Sequence, residues 1–125
     1  MRDSDWRRLQ SVNSAASPGS AYRVRRTGSK VLIDLRGVTV SSLTRSIGNV
    51  ASLPSGFRAP SDCVFLVDSS TGSVGQEVVI NIFNGSTIYA RTLPGNPDRS
   101  NVELDGVIEF TTFSSWPGTL PGTPA

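Results

Sequence analysis

Short stretches of alternating apolar and polar residues, separated by turn-forming residues, run through most of the chain. Residues 22–26 alternate tyrosine and valine with arginine, and after a turn at 27–29 the alternation continues over 30–40. A period of two indicates β-strands, and two such strands around a short glycine-containing turn predict an antiparallel hairpin. No stretch has a convincing 3.6-residue period, so an all-β chain is predicted.

Two dipeptides predict further tight turns. Asn84 and Gly85 separate apolar residues 78–83 from a second strand that begins at residue 86. Asn-Gly supplies the two positive-φ residues that a type I′ hairpin turn requires. Asp105 and Gly106 lie in the same way between two β-like stretches, so a second hairpin is expected there.

The other segments are less regular. Residues 41–61 form a long polar segment, whereas the apolar run 63–67 predicts a strand buried on both faces. The region 3–12 is the least β-like part of the chain, and Ser4 or Asp5 could cap a short helix there.

The spacing of strands and turns predicts an antiparallel β-sandwich, jelly-roll-like, with six or seven short strands. We divide the 125 residues into a short irregular or helical N-terminal segment 1–20 for oligomer or anchoring contacts, a sandwich domain 21–113 and a Pro/Gly-rich tail 114–125. The prolines exclude the tail from a central strand.

Composition narrows the chemistry. The chain has no histidine, the commonest general base and metal ligand, and one cysteine, Cys63, which excludes an internal disulfide. We therefore predict no catalytic residue, no metal site and no cofactor, and we expect Cys63 to be an inert buried thiol. No apolar run approaches the roughly 18 residues of a membrane span, so no membrane contact is expected.

Charge gives little direction about partners. The net charge is +2, and the arginines at 7–8 and 23–26 form the basic clusters. Alternation places Arg23 and Arg25 on one strand face and Val24 and Arg26 on the other. Few stacking aromatics accompany them, so nucleic acid is not expected, while anionic cell-wall polymers stay open.

Four acids lie in or beside strands: Asp34, Glu103, Asp105 and Glu109. A glycosidase needs two carboxylates about 5–9 Å apart at a cleft. Asp105 is explained by its turn, and Glu103 and Glu109 are expected to face solvent across the second hairpin. A small carbohydrate-active enzyme is therefore the less favoured alternative.

Residues 53–58 form the most distinctive loop, with Pro54 and Gly56 setting the backbone so that Phe57 can turn inward as a plug. A loop pinned across the sandwich end is the favoured interpretation, and a partner contact through Phe57 and Arg58 is the alternative. Trp6 and Trp116 lie outside the strand-rich middle and are also assigned to subunit or partner contacts.

The order of these features resembles the receptor-binding tips of phage tail fibres and minor tail proteins. The resemblance covers roughly residues 5–112; its specific part is 53–60, and the rest is general β pattern. It implies a non-enzymatic homotrimer on the virion that binds other virion proteins and a host cell-surface carbohydrate. The variable contact loops would be 41–52, 68–76 and 93–101, with the receptor-binding residues themselves unknown.

The N-terminus departs from this family pattern. Fibre proteins carry a shaft or anchoring domain before the tip, whereas only about 20 residues precede the first expected strand here. A capsid decoration or head-fibre protein is therefore an alternative. Virion proteins assemble in the host cytoplasm and leave by lysis, which fits an N-terminus without the apolar core of a signal peptide.

Overall fold

The computed structural model describes residues 1–10, 13–69 and 77–125, and every regular element in these residues is a β-strand. The strands are β1 Arg7–Gln10, β2 Ala21–Thr27, β3 Lys30–Asp34, β4 Thr39–Leu43, β5 Gly48–Ser52, β6 Cys63–Ser69, β7 Val78–Phe83, β8 Thr87–Thr92, β9 Arg99–Asp105, β10 Val107–Thr111 and β11 Thr123–Pro124. No helix in the described ranges is long and apolar enough to cross a membrane.

The strands form two antiparallel sheets. Sheet I has the order β10-β3-β2-β1-β11, and sheet II has the order β4-β9-β6-β7-β8-β5. Val24 and Ile33 from sheet I are fully buried in one cluster with Ile80 from sheet II. The alternating pattern produces this core, because a period of two places every second side chain between the sheets. The predicted antiparallel β-sandwich is confirmed.

The described residues contain eleven strands rather than six or seven. Part of the excess comes from the segment 41–52, which was expected to be a polar contact loop but contains most of β4 and all of β5. Leu43 and Val50 are fully buried there and tie these strands to the core. Single apolar residues among serines and threonines give a weak pattern, so the strands depend on tertiary packing.

The two chain ends also belong to the sandwich. The short helix considered for 3–12 is wrong over the described residues, since β1 pairs with β2 instead. β11, from the predicted tail, pairs with β1 at the edge of sheet I, where a proline is tolerated. Arg7 joins these strands further: its Nε donates to the Pro121 carbonyl at 2.9 Å.

The two turn dipeptides behave differently. Asn84 and Gly85 have φ of 54° and 70°, and the Ser86 amide donates to the Phe83 carbonyl, so the predicted type I′ turn is confirmed. The second predicted hairpin is wrong, because β9 lies in sheet II and β10 in sheet I.

The Asp105–Gly106 corner is a crossing between sheets. A Cβ on Gly106 would lie 2.8 Å from the Val67 Cβ, so glycine is needed there for close approach rather than for positive φ. Among the named strands, the chain changes sheet only here and between β3 and β4. β6, β7 and β8 are consecutive neighbours in sheet II. This connectivity is less interleaved than the two Greek keys of a jelly roll.

β6 is not buried on both faces as predicted. Val64 and Leu66 are 63% and 55% exposed, while Val67 is buried. An uninterrupted apolar run does not distinguish a doubly buried strand from one that presents an apolar outer face. Cys63 is partly exposed and packs against the core; burial and the nearby Asp62 raise the pKa of its thiol, which disfavours the reactive thiolate.

The three predicted contact loops have separate outcomes. Residues 41–52 are mostly strands, as described above. In 68–76, Asp68 and Ser69 end β6, and 70–76 lie outside the described residues. Residues 93–98 connect β8 to β9, whereas 99–101 already belong to β9.

Candidate anion-binding cleft

A charged row crosses the outer face of sheet I. In the strand register Arg8 lies opposite Arg23, and Arg23 lies opposite Asp34. Their neighbours Val24 and Ile33 are buried in the core, so alternation places the charged row on the other face. Like charges directly opposite each other destabilise a sheet, so the facing Arg8 and Arg23 repel each other, and a nearby negative charge would reduce this repulsion.

Asp34 supplies part of this negative charge and binds two guanidinium groups. Its Oδ2 accepts hydrogen bonds from Nη2 of Arg23 at 2.5 Å and Nη2 of Arg36 at 2.9 Å. Its Oδ1 accepts from Nε and the backbone amide of Arg36 at 2.9 and 3.0 Å. Each carboxylate oxygen therefore accepts two hydrogen bonds, although the Asp34 side chain is only 2% exposed.

These contacts keep Asp34 ionised. Burial raises the pKa of Asp34, but the hydrogen bonds from Arg36 and Arg23 outweigh burial and hold that pKa well below its usual range. Asp34 in turn raises the pKa of Arg36. The three groups form a fixed arrangement of two cations and one anion.

Beside this arrangement lies an open cleft of about 500 Å³. Its lining consists of the charged side chains Arg8, Arg23, Asp34 and Arg36 and the small residues Gly19, Ala21 and Gly37. A Cβ on Gly37 would collide with the Ala21 carbonyl oxygen, so glycine is required at this wall. The volume is within the usual range for small-molecule sites.

The cleft has an excess of positive charge. Three guanidinium groups line the cleft against one carboxylate in the lining, Asp34, and the nearby Asp105, which adds to the raised pKa of Arg36. The Arg8 side chain forms no hydrogen bond or ion pair within the part of the chain that the structure describes. A guanidinium has five N–H donors, and Asp34 occupies only some of those on Arg23 and Arg36. The remaining donors can bind an anion, and arginine binds carboxylate and phosphate with two parallel hydrogen bonds.

Both predicted tryptophan contacts are half-buried against arginines of the same chain. The Arg23 guanidinium lies 5.5 Å from the Trp6 ring centre. The guanidinium groups of Arg2 and Arg26 lie 4.6 and 4.5 Å from the Trp116 ring centre. Trp6 therefore supports an arginine of the cleft, and Trp116 packs within the chain; a contact of either with a partner stays a prediction.

Phe57 and Arg58 separate from each other. Phe57 is fully buried in the core, so the plug interpretation is confirmed and Phe57 presents no surface to a partner. Gly56 has a φ of 87°, which lets the chain turn inward, and the Phe57 amide donates to the Pro54 carbonyl. Arg58 is exposed and stays available as a contact.

Arg26 is a structural residue that sequence reasoning placed on the correct face without recognising its role. It is 5% exposed, and it donates from Nε to the Gly28 carbonyl at 2.8 Å and from Nη1 to the Gly56 carbonyl at 2.7 Å. Burial and the nearby Arg2 lower the pKa of Arg26. Arg26 follows Val24 by two residues on the same strand, and this spacing was the available signal that the Arg26 side chain points inward.

Among the other candidate acids, Asp105 lies close enough to Arg36 to add to the raised pKa of that guanidinium. Glu109 lies on β10 and forms an ion pair with Lys30 at 3.1 Å, whereas Glu103 and Asp105 lie on β9 in the other sheet. Asp105 pairs with Asp68 in the strand register. No group of three potential metal ligands occurs among the residues that the structure describes.

Comparison of the chain with protein-family models and with curated proteins finds no match.

A second surface feature lies on the outer face of sheet II. Val64 of β6, Asn81 of β7 and Tyr89 of β8 form one register row there, and Leu66 lies in the next row. The rings of Phe83 and Tyr89 are in contact, with centres 5.2 Å apart. We call these five residues, with Val79 and Arg91, the sheet II patch. Asn81 is its buried polar member, and its Oδ1 accepts a hydrogen bond from Arg91 at 3.0 Å.

Proposed function

We propose that this chain is a non-enzymatic virion protein, the tip of a phage tail fibre or a minor tail protein, that attaches the particle to a host-surface glycan. The resemblance centred on residues 53–60 supports this proposal, as does a sandwich fold of the kind that the resemblance implies. The charged cleft on sheet I adds a recessed surface suited to binding.

The state of Asp34 is the observation that carries the non-enzymatic part of the proposal. A general base or a nucleophile needs a free lone pair, and its pKa works best near the operating pH. Asp34 accepts four hydrogen bonds and its pKa is lowered, so it is suited to holding Arg23 and Arg36 rather than to moving a proton. Of the other candidate acids, Glu103 lies in sheet II, and Glu109, on β10 beside β3, forms an ion pair with Lys30 at 3.1 Å.

The sheet II patch supports the proposed trimer, with further copies of this chain as the occupant. Val64 and Leu66 are more than half exposed beside the Phe83–Tyr89 pair. Interface cores are rich in aromatic residues and poor in charge, with a polar rim. Asp68, exposed two residues after Leu66 on β6, supplies a polar position beside this patch. Several copies would multiply weak glycan sites through valency.

Adsorption to glycans with analysis of the products tests the function. We expect the purified chain to be retained on some bacterial envelope glycans and to leave their masses unchanged. Release of reducing sugar that is abolished by Asp34→Ala or Glu109→Ala would instead establish the carbohydrate-active enzyme. Retention on none of the glycans would contradict attachment.

Light scattering tests the oligomeric state. The expected mass at micromolar concentration is three times the 13.3 kDa of one chain, and a monomer would contradict the trimer. Electron microscopy of labelled particles distinguishes the tail from the capsid, and a capsid position would replace the tip with a decoration or head-fibre protein.

A further inference from the structure

We infer that the cleft formed by Arg8, Arg23 and Arg36 binds the oxyanion of an acidic saccharide, either a carboxylate or a phosphate group. The inference deepens the proposed function, because it depends on a glycan as the ligand and names the charged group that the glycan must carry.

The positive charge of the cleft is not fully balanced. Arg8 and Arg23 lie opposite each other in the strand register, and Asp34, the carboxylate in the cleft lining, is shared between Arg23 and Arg36. Asp105 also acts on Arg36, so two carboxylates offset three guanidinium groups. Other arginines near this sheet are neutralised or bound differently; Arg25, for example, pairs with Asp3 at 2.5 Å. The cleft therefore keeps an excess positive charge that a bound anion would relieve.

The arginines of the cleft are held in place before any ligand binds. Asp34 holds Arg36 through two side-chain hydrogen bonds and Arg23 through one, and the Trp6 ring lies against Arg23. Arginines that are already held in place lose less conformational freedom when a ligand binds. Two planar donors held at one opening match the two or three oxygens of a carboxylate or phosphate.

The shape of the cleft leaves room for a saccharide. Gly19, Ala21 and Gly37 have little or no side chain, and the space beside the arginines is open and about 500 Å³ in volume. This volume accommodates sugar residues that are attached to the anion. A nucleic-acid strand is less suited to it, because single-strand grooves present exposed rings for base stacking, and Trp6 here is half-buried under Arg23.

Titration calorimetry on the full chain tests the inference with defined probes. These are a glucuronate-containing tetrasaccharide, a neutral glucose tetrasaccharide, a short poly(glycerol phosphate) and a single-stranded DNA 12-mer. The first and third separate the carboxylate from the phosphate source. We expect one of them to bind, with the neutral tetrasaccharide weaker by about tenfold or more. Trp6 fluorescence, isolated by comparison with Trp6→Phe, should change on binding because Trp6 contacts Arg23.

Three variants locate the binding. Arg8→Gln and Arg36→Gln should each weaken the acidic probe by about tenfold. Arg45→Gln removes the same charge from an exposed position outside the cleft, and it should change affinity by less than about twofold. Circular dichroism checks that each variant is folded.

The contrary outcomes are distinct. Equal losses in Arg45→Gln and Arg8→Gln, equal affinity for the neutral sugar, tighter binding of the DNA, or no acidic probe bound would each overturn the cleft assignment. If the Arg8→Gln/Arg36→Gln double variant adsorbed to envelope glycans like the wild type, the assignment would fail while attachment stood. If acidic probes bound but no envelope glycan did, the proposed function would fail while the cleft stood.

Discussion

Truncation of Phe57 tests whether the 53–58 loop is a structural plug. Phe57 is fully buried, and its loop is fixed by the turn bond to Pro54 and by the Arg26 hydrogen bond to the Gly56 carbonyl. A loop held at several points cannot collapse into the space that a missing ring leaves. We therefore expect Phe57→Ala to lower the free energy of unfolding by about 3–5 kcal/mol, the range for truncation of a buried phenylalanine.

The magnitude matters because domains of this kind are stable by only about 5–15 kcal/mol. For a chain of this length each kcal/mol corresponds to roughly 4 °C, so Tm should fall by about 12–20 °C. Urea unfolding followed by circular dichroism measures the effect. Phe57→Leu keeps most of the apolar volume and should cost about half as much or less.

Arg58→Ala is the matched neighbour. Arg58 is exposed, so its truncation should change the free energy of unfolding by no more than about 0.5 kcal/mol. The reasoning is refuted if Phe57→Ala costs less than about 1 kcal/mol, or if Arg58→Ala costs as much as Phe57→Ala.

Three further predictions concern Asp34, one turn and the sheet II patch. Asp34→Asn should destabilise the fold by about 1–2 kcal/mol near neutral pH, a value discounted because the bound arginines are half-exposed. The pKa of Asp34 is lower in the folded state than in the unfolded state, so Asp34 stabilises the fold fully above the unfolded pKa of about 4. This stabilisation is lost as the pH falls from there through the lowered folded pKa. The Tm values of wild type and variant should therefore converge in acid, and a constant gap between them would contradict this. Gly85→Ala should lower the free energy of unfolding by about 2 kcal/mol or more, because the new Cβ would collide with the Ala59 carbonyl oxygen. Gly95 also has a positive φ but has open space around it, so Gly95→Ala should lower it by about 1 kcal/mol. Equal losses for the two variants in urea unfolding would refute the collision. Leu66→Glu places a charge in the sheet II patch and should reduce the mass in light scattering to that of one chain, whereas Ile47→Glu, at an exposed apolar residue outside the patch, should leave the mass unchanged. A trimer in both variants would exclude the sheet II patch as the subunit contact.

Sequence reasoning succeeded where the structure depends on local pattern. The alternation around Val24 placed Arg23 outward and Arg26 inward, and Asn84 with Gly85 specified a turn that needs two positive φ angles. These features are fixed by neighbouring residues and by the strand period.

The failures share a tertiary cause. Asp105 and Gly106 have the composition of a hairpin turn, but the chain crosses to the other sheet there, with Gly106 lying close against Val67. The apolar run 63–67 gave no indication of which face would be covered. β1 is short, and β11 is a two-residue edge strand; the pairing of β1 with β11 becomes visible only when the chain ends meet.

The cleft could not be predicted from the sequence, also for a tertiary reason. Arg8 and Arg23 are 15 positions apart and belong to separate clusters along the chain, and the register of β1 against β2 brings them together. Asp34 can bind both Arg23 and Arg36 only if the chain turns after β3. The hydrogen bond from the Arg36 backbone amide to Asp34 Oδ1 stabilises this turn. Pattern alone identifies the strands and leaves this register open.

One measurement tests most directly whether the protein works by binding. The full chain is incubated with a library of neutral and acidic bacterial envelope glycans, and the retained and unretained glycans are recovered and their masses determined. The account predicts that acidic glycans are retained and recovered at their original mass. Recovery of shortened glycans, or retention of none, would contradict it.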